Sequence, residues 1–407
     1  MGDQTVMRSY NVYMNRLWIG IGVFSLIAFL VWIEESLSSR MTPITVHFDQ
    51  TKELILKLPE GESLSFRELL DHLEKVRVIF VGETHDQMEH HRIQLRMIQS
   101  LVERGHQVVV AMEMFEKHQQ PILDRWSQGL LSEEEFLKEV KWETTWGMDF
   151  QLYREILNEV KYRGLRLLGL NLERELIRKV AQKGLEALPL PDREKLPSID
   201  LKEPAYRSYL RSIFQEHQEG VAKDFEKFFQ AQVLWDEAMA ETLSQHLHSP
   251  EGKDKTFLVL TGSGHVGFHF GIPARFYRRT SIPYQILVLK EWKKEIHREI
   301  SLSEAPNPIA HFLWITPPSL ERRKPKLGII LKEKKEPQGV WIERVLSQSL
   351  AEKAGLLPED QILLIDGKEI KSLKDLHESV AGKGSGTTLI FILLREGKRK
   401  EIKITLP

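Results

Sequence analysis

The chain has 407 residues, 42% apolar and 28% charged, enough for two or three domains with real cores. Lys and Arg number 57 against 58 Asp and Glu, so no global field draws the protein to nucleic acid. There is no cysteine, which excludes disulfides, thiol nucleophiles, thiolate-bound metals and a lipid-modified N-terminal cysteine.

Leu17 to Ile33 carries no charge and is just long enough to span a bilayer. Arg8 and Arg16 precede it, and Glu34 and Glu35 follow. The positive-inside rule puts the N-terminus in the cytoplasm and the bulk outside. A cleaved signal peptide and a buried soluble helix are the alternatives. The run is long for a signal-peptide core, and no small-residue cleavage site follows it. Residues 1–36 are therefore read as a cytoplasmic stub and an uncleaved transmembrane anchor, with a single pass through a bacterial cell membrane.

Residues 42–300 alternate strands and helices. Thr42 to Lys57 has β character. Ser65 with Glu68 three residues on is a capping box opening a helix to Glu74. Val78–Val81 is a buried strand, Asp86–Arg104 a helix and Gln107–Met112 a second strand. Such a βαβ unit implies parallel pairing and a right-handed crossover. Further strands are expected at Leu165–Leu170, Thr256–Thr261 and Ile282–Leu289, with two helices between Glu203 and Leu247. The fold class is α/β, three layers around a mainly parallel sheet.

Three of these strands end in ionisable residues. Val78–Val81 runs into Gly82-Glu83-Thr84-His85. Thr256–Thr261 runs into Gly262-Ser263-Gly264-His265, and Val108–Met112 into Glu113. In open α/β sheets ligands bind at the C-terminal edge of the strands. Glu83, His85, Glu113 and His265 therefore form a candidate acid–base set, and His85, Glu113 and His265 a candidate divalent-metal set. Paired histidines His90 and His91 follow closely. Tyr153 lies near Trp142 and Trp146, and Arg275 suits an anionic ligand group.

Residues 301–325 hold prolines 306, 308, 317, 318 and 325 and a basic run, and read as a semi-extended linker. Its apolar stretch Phe312-Leu313-Trp314-Ile315 suits docking on a neighbouring domain.

From 326 to 407 the order of turns and strands resembles a PDZ domain, a small β-barrel. Lys326-Leu327-Gly328-Ile329 matches the carboxylate-binding loop, Val340–Val345 the second central strand and Asp366-Gly367 a hairpin turn. Glu359 stands where a Gly is usual. The resemblance implies that Leu327, Gly328 and Ile329 bind a protein C-terminus or extended peptide as an added strand.

Residues 66–290 resemble the ChaN family of haem-binding, iron-uptake-associated proteins, part of the Tiki superfamily. The residues that carry this are Val81–His85, Ala111–Phe115, Trp142–Gly147, Tyr153, Gly169–Asn171, Asp236–Ala240, Gly262–His265 and Gly271–Pro273. The resemblance implies haem as cofactor, with His85, His90, His91, Tyr153 and Arg275 as candidate haem contacts. Bacterial ChaN proteins are often lipoproteins; without cysteine this chain must use its own helix as anchor. Active members of the superfamily use a Glu–His constellation, so metal-dependent or Glu/His-dependent hydrolysis by Glu83, His85, Glu113 and His265 is the alternative. A non-enzymatic membrane adaptor is the third. The sequence leaves catalysis open; an enzyme of this kind would be a hydrolase.

Overall fold

Strands buried on both faces read as near-continuous apolar runs, and the central strands of this chain do so. The computed structural model describes residues 44–47, 52–216, 224–292, 299–302, 308–317, 327–335, 338–346, 349–380, 383 and 386–406. The strands in chain order are β1 (Ile44–His47), β2 (Leu54–Lys57), β3 (Glu62–Leu64), β4 (Val78–Glu83), β5 (Val108–Glu116), β6 (Arg166–Asn171), β7 (Thr256–Gly262), β8 (Tyr284–Glu291), β9 (Glu299–Leu302) and β10 (Phe312–Thr316). An eight-stranded sheet has the order β3-β2-β10-β8-β4-β7-β5-β6. From β10 to β6 every neighbouring pair is parallel; β2 and β3 continue the sheet antiparallel at one edge. β1 and β9 form a separate antiparallel pair.

Side chains alternate across the pleat and feed two cores. Val78 and Phe80 face one core with helices Phe225–His248 and Gly271–Thr280. Ile79 and Val81 face the other, with helices Phe66–Leu73, Met88–Glu103 and Arg154–Arg163. These are the expected three layers. The capping box at Ser65 is present, with Ser65 and Glu68 bonding reciprocally.

Two expectations are corrected. β4 and β5 share one sheet but do not pair with each other. β7, from far along the chain, lies between them and is parallel to both. The segment read as linker also supplies β10, which pairs with β8 and β2 inside the sheet. The prolines flank the strand rather than interrupt it, so its ladder is intact. The anchor expected at Leu17–Ile33 lies outside the described residues. Among the described residues no helix is long and apolar enough to cross a membrane.

The chain divides into two compact units, the second beginning at residue 320. The second unit is an antiparallel sheet β11 (Ile329–Lys335), β12 (Gln338–Val345), β13 (Gln361–Ile365), β15 (Thr388–Arg395) and β16 (Lys398–Thr405), with β14 (Lys368–Glu369) on β13. Asp366 and Gly367 both have positive φ, 50° and 80°, as the hairpin turn requires. Glu359 takes φ 66°, so the turn keeps its shape although a Gly is replaced. Gly328 has φ 79°, and a Cβ there would lie 2.2 Å from Ser349 Cβ.

Trp314 of β10 is fully buried against Phe66. Trp314→Ala should cost about 3–5 kcal/mol, as for a large core truncation. A linker residue would cost within about 0.5 kcal/mol. The urea midpoint of the large unit decides between them.

Candidate functional site

The C-terminal ends of β4, β5 and β7 lie side by side, with Glu83 in register with Gly262. The β5–β6 register shifts between Met112 and Glu116, a bulge that re-aims the side chains around Glu113. Gly82 allows the turn after β7 to cross the end of β4: a Cβ would sit 2.8 Å from Val266 Cγ2 and 2.9 Å from Ser263 Cα. Gly271, at φ 58°, lies so close to the His265 carbonyl oxygen that a Cβ would be 2.2 Å away.

The first cluster is built on Glu83, which is buried. Its Oε1 accepts from His85 Nδ1 at 2.7 Å and from the Tyr153 hydroxyl at 3.1 Å. Its Oε2 accepts from Gln94 Nε2 at 2.6 Å and lies 3.3 Å from His91 Nε2. Burial alone would raise the Glu83 pKa; His91 and His85 beside it hold the carboxyl well below the usual range instead. Burial opposes charge on His85, but the Glu83 bond and the nearby Glu113 raise its pKa. His90 accepts the Thr84 backbone N–H through Nδ1 at 2.9 Å, which makes it neutral with Nε2 protonated. Burial, helped by His91, pushes its pKa down to about 3.

The second cluster is built on His265. Asp236, on helix Phe225–His248, meets its Nδ1 at 2.6 Å, and Glu113 Oε1 lies 3.4 Å from its Nε2. Glu113 is itself held: its Oε2 accepts from Thr261 Oγ1 at 2.6 Å and from the Gly262 N–H at 2.8 Å. The Tyr206 hydroxyl donates to the second oxygen of Asp236. Burial disfavours charge on both His265 and Glu113, but their mutual attraction wins. His265 is pushed up to about 10, with Asp236 adding to the effect, and Glu113 is drawn down to about 2.

A small, partly open cleft with an internal volume of about 30 Å³ lies beside these clusters. Met114, Glu116, Thr145, Trp146, Asn171, Arg174, Ile177 and Trp235 line it. Each tryptophan packs edge-on against one histidine, Trp146 on His85 and Trp235 on His265, with centroids 4.9 Å apart in both. Behind those walls His85 Nε2 is buried with no hydrogen-bond partner, while His265 Nε2 and Glu113 Oε1 face each other at 3.4 Å. A buried polar atom is rarely left so, and one aimed at a cleft wall points to a ligand.

The sequence model "Haem-binding uptake, Tiki superfamily, ChaN" matches residues 69–276, just over half of the chain. The chain belongs to the ChaN family. A PDZ model matches residues 325–406. Among solved structures, ChaN of Campylobacter jejuni, described with cofacial haem binding, superimposes with a TM-score of 0.50 at 22% identity, covering 65% of this chain and 96% of that one. That similarity shows the fold. Curated relatives share a shorter stretch. A probable periplasmic serine protease of Haemophilus influenzae, do/HhoA-like, is 36% identical over 69 residues, 17% of this chain and 15% of its own length. A DegP-like probable periplasmic endoprotease of Chlamydia muridarum is 41% identical over 68 residues, 17% of this chain and 14% of its own. The chain thus spans about a seventh of the length of these relatives.

In this ChaN-family chain Glu83, His85, Glu113 and His265 gather at the sheet edge, as their strand-end positions imply. His90 and His91 are buried beside Glu83, not on a solvated helix face. Tyr153 packs on Trp142 and Trp146, but it is fully buried, and its hydroxyl donates to Glu83. Burial and Glu83 raise its pKa well above the ordinary phenol value, so it is a positioning group rather than a free ligand. Arg275 is also corrected. It is fully buried over the Tyr206 ring, donating to the Gly271 carbonyl and facing Glu203 and Glu237. Such internal pairing leaves it no ligand anion to hold. The set His85, Glu113 and His265 is not preformed as a metal cage: among the described residues no group of three or more His, Asp or Glu is placed to hold an ion. The reason is that each residue already has a protein partner, Glu83 for His85, Asp236 for His265 and the β7 end for Glu113. Asp236, Tyr206, Gln94 and Trp235 were missed as site residues. Asp236 lay within a stretch that carries the family resemblance; the signal for the other three was aromatic and polar residues on otherwise apolar helix faces.

The charge pattern fixes a pH response. His265 has a folded pKa above its unfolded value of about 6.5, so its contribution to stability is complete below that pH and lost as pH rises through about 10. Glu113 has the opposite sign: its contribution is complete above about 4.5 and lost as pH falls toward about 2. Both act together between roughly pH 4.5 and 6.5. In imidazole NMR the His265 ring should remain protonated at pH 8, and Asp236→Asn should lower its pKa. A neutral ring at pH 7 in the unmutated chain contradicts the clamp.

Proposed function

We propose that the large unit binds haem in the cleft walled by Trp146 and Trp235, and that the protein serves iron uptake at a bacterial membrane. The observation that carries this is the pairing of an aromatic cleft with the unpartnered Nε2 of His85, whose ring packs against the Trp146 wall. A porphyrin is a flat apolar ring whose iron takes axial nitrogen ligands. Trp146, Trp235, Met114 and Ile177 supply the apolar walls. His85 has Nδ1 bonded to a carboxylate and Nε2 without a partner, the arrangement in which an imidazole is oriented and made more basic for a metal. When bound, haem would supply the iron; the residues of this chain hold, orient and shield it.

Glu/His-dependent hydrolysis is the second reading. It is supported by the Asp236–His265–Glu113 array, which has the outline of an acid–base relay. It is weaker because His265 is held protonated at neutral pH and cannot take a proton from water.

Adding haem to the purified chain should give a Soret band at one equivalent. His85→Ala should weaken binding by about tenfold or more, by the scale of lost metal-site contacts. No band, together with a stoichiometric divalent metal by elemental analysis, would move the assignment to the hydrolase.

The second unit is read as a peptide-binding module, with Leu327, Gly328 and Ile329 at the carboxylate loop, and residues 17–33 as the tether with the bulk outside the cytoplasm. Gly328→Val should abolish capture of a C-terminal peptide library, because the backbone there is left-handed and crowded by Ser349. Undiminished capture rules the groove out. Protease added to intact spheroplasts should degrade the large unit; protection until lysis would reverse the orientation.

A further inference from the structure

The cleft is mostly apolar and aromatic, yet it holds one cation. Arg174 opens the helix Arg174–Lys183 and lines the cleft beside Trp146, Asn171 and Trp235. Its Nη1 donates to the carbonyls of Thr144 and Thr145 at 2.9 and 3.2 Å. Those bonds fix the guanidinium in place without neutralising it, since both acceptors are uncharged. Arg275, Arg278 and Arg279 differ: each reaches the carboxylate of Glu237. Glu116 is on the same wall, but its Oε1 accepts the Arg174 backbone N–H at 2.9 Å and its Oε2 faces His118 at 3.2 Å. Burial works against the Arg174 charge and lowers its pKa, the Glu116 carboxylate offsets only part of that, and an anion bonded to the guanidinium in the cleft would relieve the rest.

Two neighbours on the same wall are nine-tenths buried and incompletely bonded. Asn171 donates its Nδ2 to the Glu113 carbonyl but leaves Oδ1 without a partner, and the Trp235 indole N–H has none. A hydrogen-bond donor and a planar cation therefore stand in a cleft that is otherwise suited to an apolar ring. A guanidinium fork matches a carboxylate in shape and charge.

We infer that Arg174 is the residue through which this cleft recognises a carboxylate on a flat, largely apolar ligand. The inference rests on the haem-binding reading and names the group that reads the ring's acidic side chains. It replaces Arg275, which the fold removes from the site.

The test is an absorbance titration of the full chain with two probes, haem and haem dimethyl ester. They share ring and iron but only haem carries carboxylates. The unmutated chain should bind haem about tenfold more tightly than the ester, the scale of one charge-assisted hydrogen bond. Arg174→Gln should lose that tenfold for haem and leave the ester unchanged, and Arg174→Lys should recover part of it. Unchanged ester binding also shows that the Thr144–Thr145 turn and the cleft survive the substitution. Equal weakening of both probes would make Arg174 a prop for that turn and overturn the inference. So would an unaltered haem affinity in Arg174→Gln. Binding of neither probe by the unmutated chain removes the haem reading itself, and this inference with it.

Discussion

One imidazole ties the sheet to its covering helix. His265 follows β7, and its two nitrogens face carboxylates from different elements, Glu113 on β5 and Asp236 on helix Phe225–His248. All three groups are buried. Taking such charges out of water costs several kcal/mol per ion, which only close pairing and further hydrogen bonds offset. Thr261, the Gly262 N–H and Tyr206 provide those bonds. Removing one partner would leave an uncompensated charge, typically a loss of about 3–5 kcal/mol. Gly271 has no Cβ because the His265 carbonyl occupies that space. The clamp therefore dictates the glycine, the turn after β7 and the seat of the helix that Gly271 begins.

The Glu83 cluster is organised differently. One carboxylate gathers His85, His91, Gln94 and Tyr153 from one helix and two connecting segments. With both oxygens engaged, Glu83 is suited to orient rather than to accept a proton. Glu113 raises the pKa of His85 while His265 opposes it, so the two clusters share one field. This arrangement suits a site that holds a ligand against fixed charges. It suits proton transfer at neutral pH less well, since a base for that work must be able to lose its proton there.

The second unit depends on backbone geometry together with one buried carboxylate, Asp360. Gly328, Asp366 and Gly367 sit at positive φ where turns demand it. Glu359 adopts the same region without being glycine, at a cost on the order of 1–2 kcal/mol. It pairs with Lys332 across the surface, and Asp360 beside it is locked by Arg395 through two bonds of 2.6 Å. That neighbouring lock explains how the turn survives the substitution.

Local pattern by itself determined much of this protein. Apolar runs ending in Gly-x-x-His marked β4 and β7, and their ends became the site because parallel strands deliver their C-termini to one edge. Ser65 and Glu68 marked a helix start through hydrogen bonds that span three residues. The turns of the second unit were legible because positive φ selects Gly and Asp. Only tertiary structure decided what depends on distant partners. β7 enters between β4 and β5, and β10 returns from a proline-rich stretch, because strand pairing is set by burial of two faces and not by chain order. Asp236 and Tyr206 became site residues only when their helices packed against the edge. Arg275 and Arg174 both stand among other charged residues in sequence, with nothing local to tell them apart. Packing buried the first among carboxylates and left the second charged beside an aromatic cleft, and a side chain's electrostatic partners cannot be read before the fold supplies them.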